Sequence, residues 1–489
     1  MSPSDPPTLS YWLAGDPTRE VEARYALGLL ASGAGVRLRP ARSLQEAELV
    51  HAPSAQGVSE TGIWMRSGAP GPWDAPPETL TPFAGTFVHA APGESPPALE
   101  RPDRIGADLL YTTWIVATGA HERGQSRNSR GVPIQKGGVL ERSGALAVPL
   151  IATYANLLAR AFDQHHPGSP RLPRWPDGKT RAVVLSHDVD LPFVGQTSHD
   201  KVRAAKNLLR TGHLLVGSRR LLGAARQALR VATGAALRPE DDPNFGFEGW
   251  FALERELGAR SCFYVATWTR TDVGADSFDV EYDFAQPAMA RALRRAVAEG
   301  WEVGLHASIN AKTRGVEGFA REKALLEDVI GARIAGLRHH YWAMDPEVPE
   351  RTLALHEGAG FEYDTSLGIN DVPGFRRGAC WPFRPFDPVM RRPSGILEVP
   401  PTIMDGAAFL PATRTDGPEQ LRRHFDAAFR AGGAVHLDWH LEQQNPRNLG
   451  GAGPRLAEAL RELRSDSTIH WTTPGALARW WAQRERSLA

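Results

Sequence analysis

Three observations predict an α/β fold, a distorted (β/α) barrel of about seven strands preceded by a smaller α/β domain. Beyond residue 180, short apolar runs alternate with amphipathic stretches of helical period. Several of those runs end in carboxylates, imidazoles or a guanidinium, the residue types that a parallel barrel gathers at the C-terminal ends of its strands. Before them, His165-His166-Pro167-Gly168-Ser169-Pro170, followed by Pro173, Pro176 and Gly178, reads as a break in regular structure. The expected organisation is an N-terminal α/β domain of unassigned role over residues 1–165, a linker over 166–180, and a barrel over 181–489.

The N-terminal part alternates short apolar runs with Pro/Gly turns, and its clearer helices are expected at Glu20–Ser32 and Pro149–Phe162. In the barrel, strands are expected at Ala182–Ser186, Ser261–Ala266, Glu302–Leu305, Ile334–Leu337, Phe361–Tyr363, Ile396–Val399, Ala434–Trp439 and Thr468–Trp471. Helices are expected at Trp250–Leu257, Pro287–Ala298, Val316–Ile330, Pro349–Gly358, Pro418–Ala431 and Pro454–Leu463. An insertion at about 200–240 is basic and leucine-rich, from Lys201 to Arg238 without one acidic residue. It reads as an amphipathic helical pair, either a solvated face or a contact for an anionic polymer or anionic membrane surface.

Composition narrows the function. The 56 basic and 56 acidic residues cancel, so no global field draws the chain to nucleic acid. Two cysteines, Cys262 and Cys380, make neither a disulfide framework nor a cysteine zinc site. The start Met1-Ser2-Pro3-Ser4-Asp5 lacks the basic and apolar regions of a signal peptide, and no run is long enough to span a bilayer. A cytoplasmic location is expected.

The chemistry concentrates where Ala182-Val183-Val184-Leu185 runs into Ser186-His187-Asp188-Val189-Asp190. Residues i and i+2 of a strand share a face, so Asp188 and Asp190 point together. Such a pair suits a site in which one acid holds a cation and the other takes a proton from water on it; the plain alternative is a loop with solvated acids. His306 is a metal ligand by type, and Asn310, four positions on, offers a weaker amide oxygen; a histidine after a strand also serves as an ordinary hydrogen-bonding group. Arg338 can lock a carboxylate by paired hydrogen bonds. His440 can donate a proton, with His436 as its structural competitor. Asp364 can orient a histidine. Ser186-His187-Asp188 is not a serine triad, because neighbours in a strand cannot stack in that relay.

The ordered set His187-Asp188-Val189-Asp190, Gly304-Leu305-His306-Ala307-Ser308-Ile309-Asn310, Leu337-Arg338-His339-His340-Tyr341, Tyr363-Asp364-Thr365-Ser366 and Asp438-Trp439-His440 resembles the NodB-type polysaccharide deacetylases, metal-dependent carbohydrate esterases with a distorted barrel. The resemblance runs from about Arg181 onward. The stretch from Asp108-Leu109-Leu110-Tyr111 to Ser143-Gly144-Ala145-Leu146-Ala147-Val148-Pro149 also looks like the domain that precedes the barrel in one branch of that family. The resemblance implies Asp188 as base, Asp190 and His306 as metal ligands, Arg338 as the residue orienting Asp188, His440 as general acid and Asp364 as a supporting carboxylate. It puts Asn310 where the family has its second metal histidine, and it spreads the usual adjacent acids to Asp188-Val189-Asp190. Tyr341, Trp381 and Trp439 are candidates to stack on a sugar, or else core residues. The implied cofactor is a divalent metal, zinc by expectation, and the implied partner a carbohydrate. The implied reaction is removal of acetyl groups from N- or O-acetylated sugars of a bacterial polysaccharide or its precursor. The competing readings are another C–N hydrolase on the same barrel, acting on a cyclic amide, and a catalytically silent carbohydrate-binding protein.

Overall fold

A computed structural model describes residues 5–68, 77–90, 96–193, 239–267, 279, 282–409 and 416–489. Two parallel sheets organise the chain. The first is built from Thr8–Leu13, Arg37–Pro40, Leu49–Ala52, Ile63–Arg66 and Arg104–Ile105. Counted in chain order, its spatial order is second, first, third, fourth, fifth. Helix Glu20–Ala34 buries Ala23, Ala26, Leu27, Leu30 and Ala31, a 3.6-residue pattern that faces the sheet and the helix Leu150–His165. It stops at Gly35, which takes a left-handed φ of 78°. A β-carbon at Gly35 would lie 2.2 Å from the carbonyl oxygen of Leu172, so both the turn and the close approach require glycine.

The second sheet curls into the barrel. Its spatial order is Leu397–Glu398, Tyr363–Asp364, Gly336–His339, Glu302–Ala307, Cys262–Val265, Arg181–Val189, Ala434–Asp438, Ile403–Met404, with Ile469–Thr472 pairing the start of Arg181–Val189. Every pairing in it is parallel. Each expected strand is present to within a few residues, and the helices Pro287–Ala298 and Pro349–Gly358 have their expected bounds.

The run expected as a single strand at Ile396–Val399 pairs instead as Leu397–Glu398, and a further strand follows at Ile403–Met404. Together they supply the two edges of the sheet. Between them Val399 donates to the Asp364 carbonyl and Thr402 to the His436 carbonyl. Pro400 and Pro401 lack the N–H needed to extend either ladder, so the chain leaves one edge strand there and crosses to the other.

The stretch 166–180 is fastened to both sheets. Leu172 donates to the Gly35 carbonyl. Arg174 donates to the carbonyls of Gly33, Ala431 and Gly432, and the buried Trp175 donates to Gly432. One continuous apolar core joins the two parts, with Trp381 stacked on Trp481 of the C-terminal helix Pro474–Leu488. Both cysteines are free and buried. The basic insertion lies outside the described residues up to position 238. Among the described residues, no helix is long and apolar enough to cross a membrane.

Candidate active site

Strand parity aims the polar side chains. In Arg181–Val189, Ser186 and Asp188 face the barrel interior, while His187 faces outward between Trp250 and Phe263, its ring nitrogens on the Trp439 carbonyl and Glu254. In Gly336–His339, Arg338 faces inward and His339 packs outward against Phe319 and His356. The register pairs His306 with Arg338. Beneath this layer, glycines make room for rings. A β-carbon at Gly336 would lie 1.9 Å from the Tyr363 ring, and one at Gly304 would lie 2.5 Å from the Tyr264 ring. Tyr264 then lies under the Arg338 guanidinium at 4.4 Å, flooring the site.

Arg338 is fully buried and spends its donors on this one layer. It reaches Asp188 Oδ1 at 2.7 Å, Ser186 Oγ at 2.8 Å and Thr365 Oγ1 at 3.0 Å. Asp438 Oδ1 stands 2.6 Å from the same guanidinium nitrogen that serves Asp188, off the line of a hydrogen bond, so it is a charge contact. Burial opposes the charge on Arg338, and Asp188 and Asp438 more than restore it. Burial pushes Asp438 well above the usual carboxylate range, against the pull of Arg338.

Beside this system Asp190, His306 and His340 bring a carboxylate oxygen and two imidazole nitrogens within 4.8 Å of one another. His306 Nε2 lies 3.2 Å from Asp190 Oδ1, and His340 Nε2 lies 3.5 Å from Asp190 Oδ2. The far nitrogens are committed: His306 Nδ1 donates to the Arg338 carbonyl at 3.1 Å and His340 Nδ1 to Asp279 at 2.8 Å. A carbonyl or carboxylate only accepts, so both Nδ1 atoms carry hydrogen, and Nε2 is the nitrogen through which each ring, once deprotonated there, would hold a cation. Burial opposes a proton on His340, yet Asp190 and Asp279 raise it to about 9. Burial would lift Asp190, and His340, His306 and His440 hold it well below the usual range. One carboxylate and two oriented imidazoles fit a divalent cation of the zinc type.

Asp188 flanks that centre, its Oδ2 3.7 Å from His306 Nε2. His440 closes the other side. Its backbone N–H and Nδ1 both bind Asp405, at 2.8 and 3.0 Å, and its Nε2 lies 3.5 Å from Asp190 Oδ2. Burial disfavours charge on His440, but Asp405 and Asp190 raise it well above the imidazole range.

Asp188, Asp190, His306, Arg338 and His440 therefore meet at one rim. Other expected site residues stand elsewhere. Asn310 heads the single turn Ala311–Arg314, and its carbonyl accepts from Thr313; the third donor of the centre is His340. Asp364 binds the Ser366 N–H and hydroxyl and sits 2.9 Å from His356 Nδ1. It fixes the loop that carries Thr365 to Arg338 and so acts at one remove. Trp439 is buried, edge-on to Phe409, and offers no face to a ligand. Trp381 is buried against Trp481 and beneath Arg174, where it joins the two parts of the chain and does not face the site. Both corrections have one cause: a large aromatic gains more from full burial than from a half-exposed rim position. Tyr341 is at the site, its ring stacked on His340 at 4.0 Å and covered by Arg130 at 3.5 Å. Its φ of 55°, in the left-handed region, is held by Asn370 donating to the Tyr341 carbonyl.

Sequence reasoning passed over His340, Asp279, Asp405 and Asp438 as functional groups. Asp438 shares parity with His436 and was open to the same strand argument. His340 follows the strand into a turn, where parity no longer applies. Asp279 and Asp405 come from segments with no periodicity to place them.

No protein-family model and no curated protein matches the chain. Solved structures are similar to it. A chain assigned as a polysaccharide deacetylase from Mycobacterium smegmatis has 18% identity and a TM-score of 0.40, covering 64% of this chain and 93% of that one. One assigned as a polysaccharide deacetylase from Pseudomonas aeruginosa PAO1 has 14% identity and a TM-score of 0.41, over 65% and 96%. The Puue allantoinase has 15% identity and a TM-score of 0.39, over 65% and 95%. At these identities and scores, the chemistry has to be read from this chain's own residues.

Proposed function

We propose that the chain is a metal-dependent hydrolase that removes acetyl groups from N-acetylated or O-acetylated sugars of a bacterial polysaccharide or its precursor. One observation carries the reading: an Asp190–His306–His340 donor set lies between an arginine-locked Asp188 and an aspartate-locked His440. The ordered motifs that resemble the NodB-type deacetylases supply the substrate class.

A divalent cation held by Asp190, His306 and His340 would polarise the acetyl carbonyl and acidify a water. Asp188 is the base. Arg338 holds its Oδ1, which turns Oδ2 toward the centre where the water's proton is released. Asp438 and the hydroxyls of Ser186 and Thr365 hold Arg338 in turn. His440 is the acid. Asp405 keeps Nδ1–H engaged, so Nε2 is the nitrogen that hands a proton to the departing amine or alcohol. Tyr341 walls the site beside His340, its ring held between that imidazole and the Arg130 guanidinium.

The test is acetate release from N-acetylglucosamine oligomers by protein whose metal content has been measured. Asp188→Asn is expected to lower the rate about 10²- to 10⁴-fold with bound metal unchanged. Release at the parent rate would remove Asp188 as base. Purified protein that neither binds zinc nor releases acetate would end the proposal in favour of a silent carbohydrate-binding protein.

A further inference from the structure

The N-terminal sheet carries a second cavity that the barrel chemistry does not use. Its second-first-third-fourth-fifth order reverses direction between the first and third strands, and in open parallel sheets that switch point opens a crevice at the C-terminal strand ends. A cavity of about 290 Å³ lies there, lined among others by Gly15, Pro17, His51, Pro53, Ser67 and Asp108.

Two polar side chains with different states of engagement face it. Asp108 caps the helix Leu109–Ala117 by accepting from the Tyr111 N–H, and it also accepts from the Gly68 N–H and from His51 Nε2 at 3.1 Å. That carboxylate is engaged by three donors and serves to orient His51. With Nε2–H given to Asp108, Nδ1 is the nitrogen left to meet a ligand hydroxyl. Ser67 is 7% exposed, and among the described residues its hydroxyl has no hydrogen-bond partner. Buried hydroxyls are normally satisfied, so this one marks a missing partner. Gly15 sits between the two. A β-carbon there would lie 4.0 Å from both His51 Nδ1 and Ser67 Cβ, so the glycine keeps the space open.

The charges exclude an anion. Asp16 and Glu20 line the same cavity, with Arg19 as its one guanidinium. A metal is disfavoured as well, because Asp16 is bound to Thr18, Glu20 to Arg24, and Asp108 is engaged by three donors. What remains is a neutral ligand that offers hydroxyl groups to an imidazole and a serine while its carbon frame lies on the prolines and Leu13.

We propose that this crevice binds a vicinal diol the size of one ring, either a glycosyl unit or the ribose of a nucleoside. The site is independent of the barrel chemistry. It can be tested on the full chain by saturation-transfer NMR and calorimetry with N-acetylglucosamine, adenosine and inorganic phosphate as separate probes. Binding of either diol supports the proposal and names the source. Gly15→Val, which fills the gap at a position without left-handed φ, should weaken binding at least about tenfold. Ser67→Ala, a milder change that keeps the test alive should the valine disturb folding, should weaken it about 2- to 10-fold. His306→Ala in the barrel should leave that binding in place. Binding by phosphate alone, binding by neither diol, or diol binding that survives both Gly15→Val and Ser67→Ala but is lost in His306→Ala would overturn it.

Discussion

The chain contains two parallel sheets whose strands all end the same way, yet they make very different sites. The barrel curls, so the ends of Arg181–Val189, Glu302–Ala307, Gly336–His339 and Ala434–Asp438 converge, and residues from Ser186 to His440 share one centre. The N-terminal sheet stays open, so only the strands at its reversal border one space, and its cavity is met by Gly15, His51 and Ser67. Curvature decides how many chain segments can act on one ligand. The barrel collects enough charge for metal and proton chemistry, whereas the open sheet collects enough only for recognition.

The largest expected effect that tests this contrast is at Arg338. If convergence is what the barrel charges depend on, Arg338→Met leaves Asp188 and Asp438 facing each other in a buried layer. A loss of about 3–5 kcal/mol is expected by denaturant unfolding, together with loss of acetate release. An unfolding midpoint equal to the parent's would mean that the layer is not held by this ion system. Next comes the identity of the ligands. His340→Ala should lower zinc affinity at least about 100-fold by competitive chelation, and Asn310→Ala should change it by less than about threefold. The opposite ranking would move the centre onto the helix that follows His306. The smallest effect belongs to the interface between the two parts. Burial, against the pull of Glu122, lowers His121 from 6.5 to about 4. The unfolded chain therefore takes up a proton that the folded one refuses; stability is full above pH 6.5 and falls as the pH drops from there toward about 4. Between pH 6.5 and about 5 the expected loss is roughly 2 kcal/mol, and His121→Gln should flatten that part of the stability profile.

Much of the barrel could be read from residues alone, because its strands are apolar runs that change character abruptly at their ends. The alternation that placed Asp188 beside Asp190 and Arg338 inside the layer is a local property of extended chain, and it survives folding. Ile403–Met404 and the C-terminal helix Pro474–Leu488 escaped, the first because two residues carry no period and the second because its apolar face is interrupted by arginines. At the site, the residues read correctly into one place all lie on or just beyond strands. Asp405 and Asp279 orient His440 and His340 from outside any periodic segment, so only coordinates could pair them. Trp381 illustrates the reverse error: its chemistry suited a sugar, but a neighbouring helix some hundred positions later claimed its face.

The buried seam from Val399 to Thr402 has a consequence for exchange measurements. The Val399 and Thr402 amides each bond to a different flank of the ring, to Asp364 on one side and His436 on the other. Both lie in a buried crossing anchored at its two ends on opposite edge strands, so opening either amide means displacing buried chain. Their deuterium uptake should therefore track whole-molecule unfolding and report its full free energy, while helix ends elsewhere exchange by local opening.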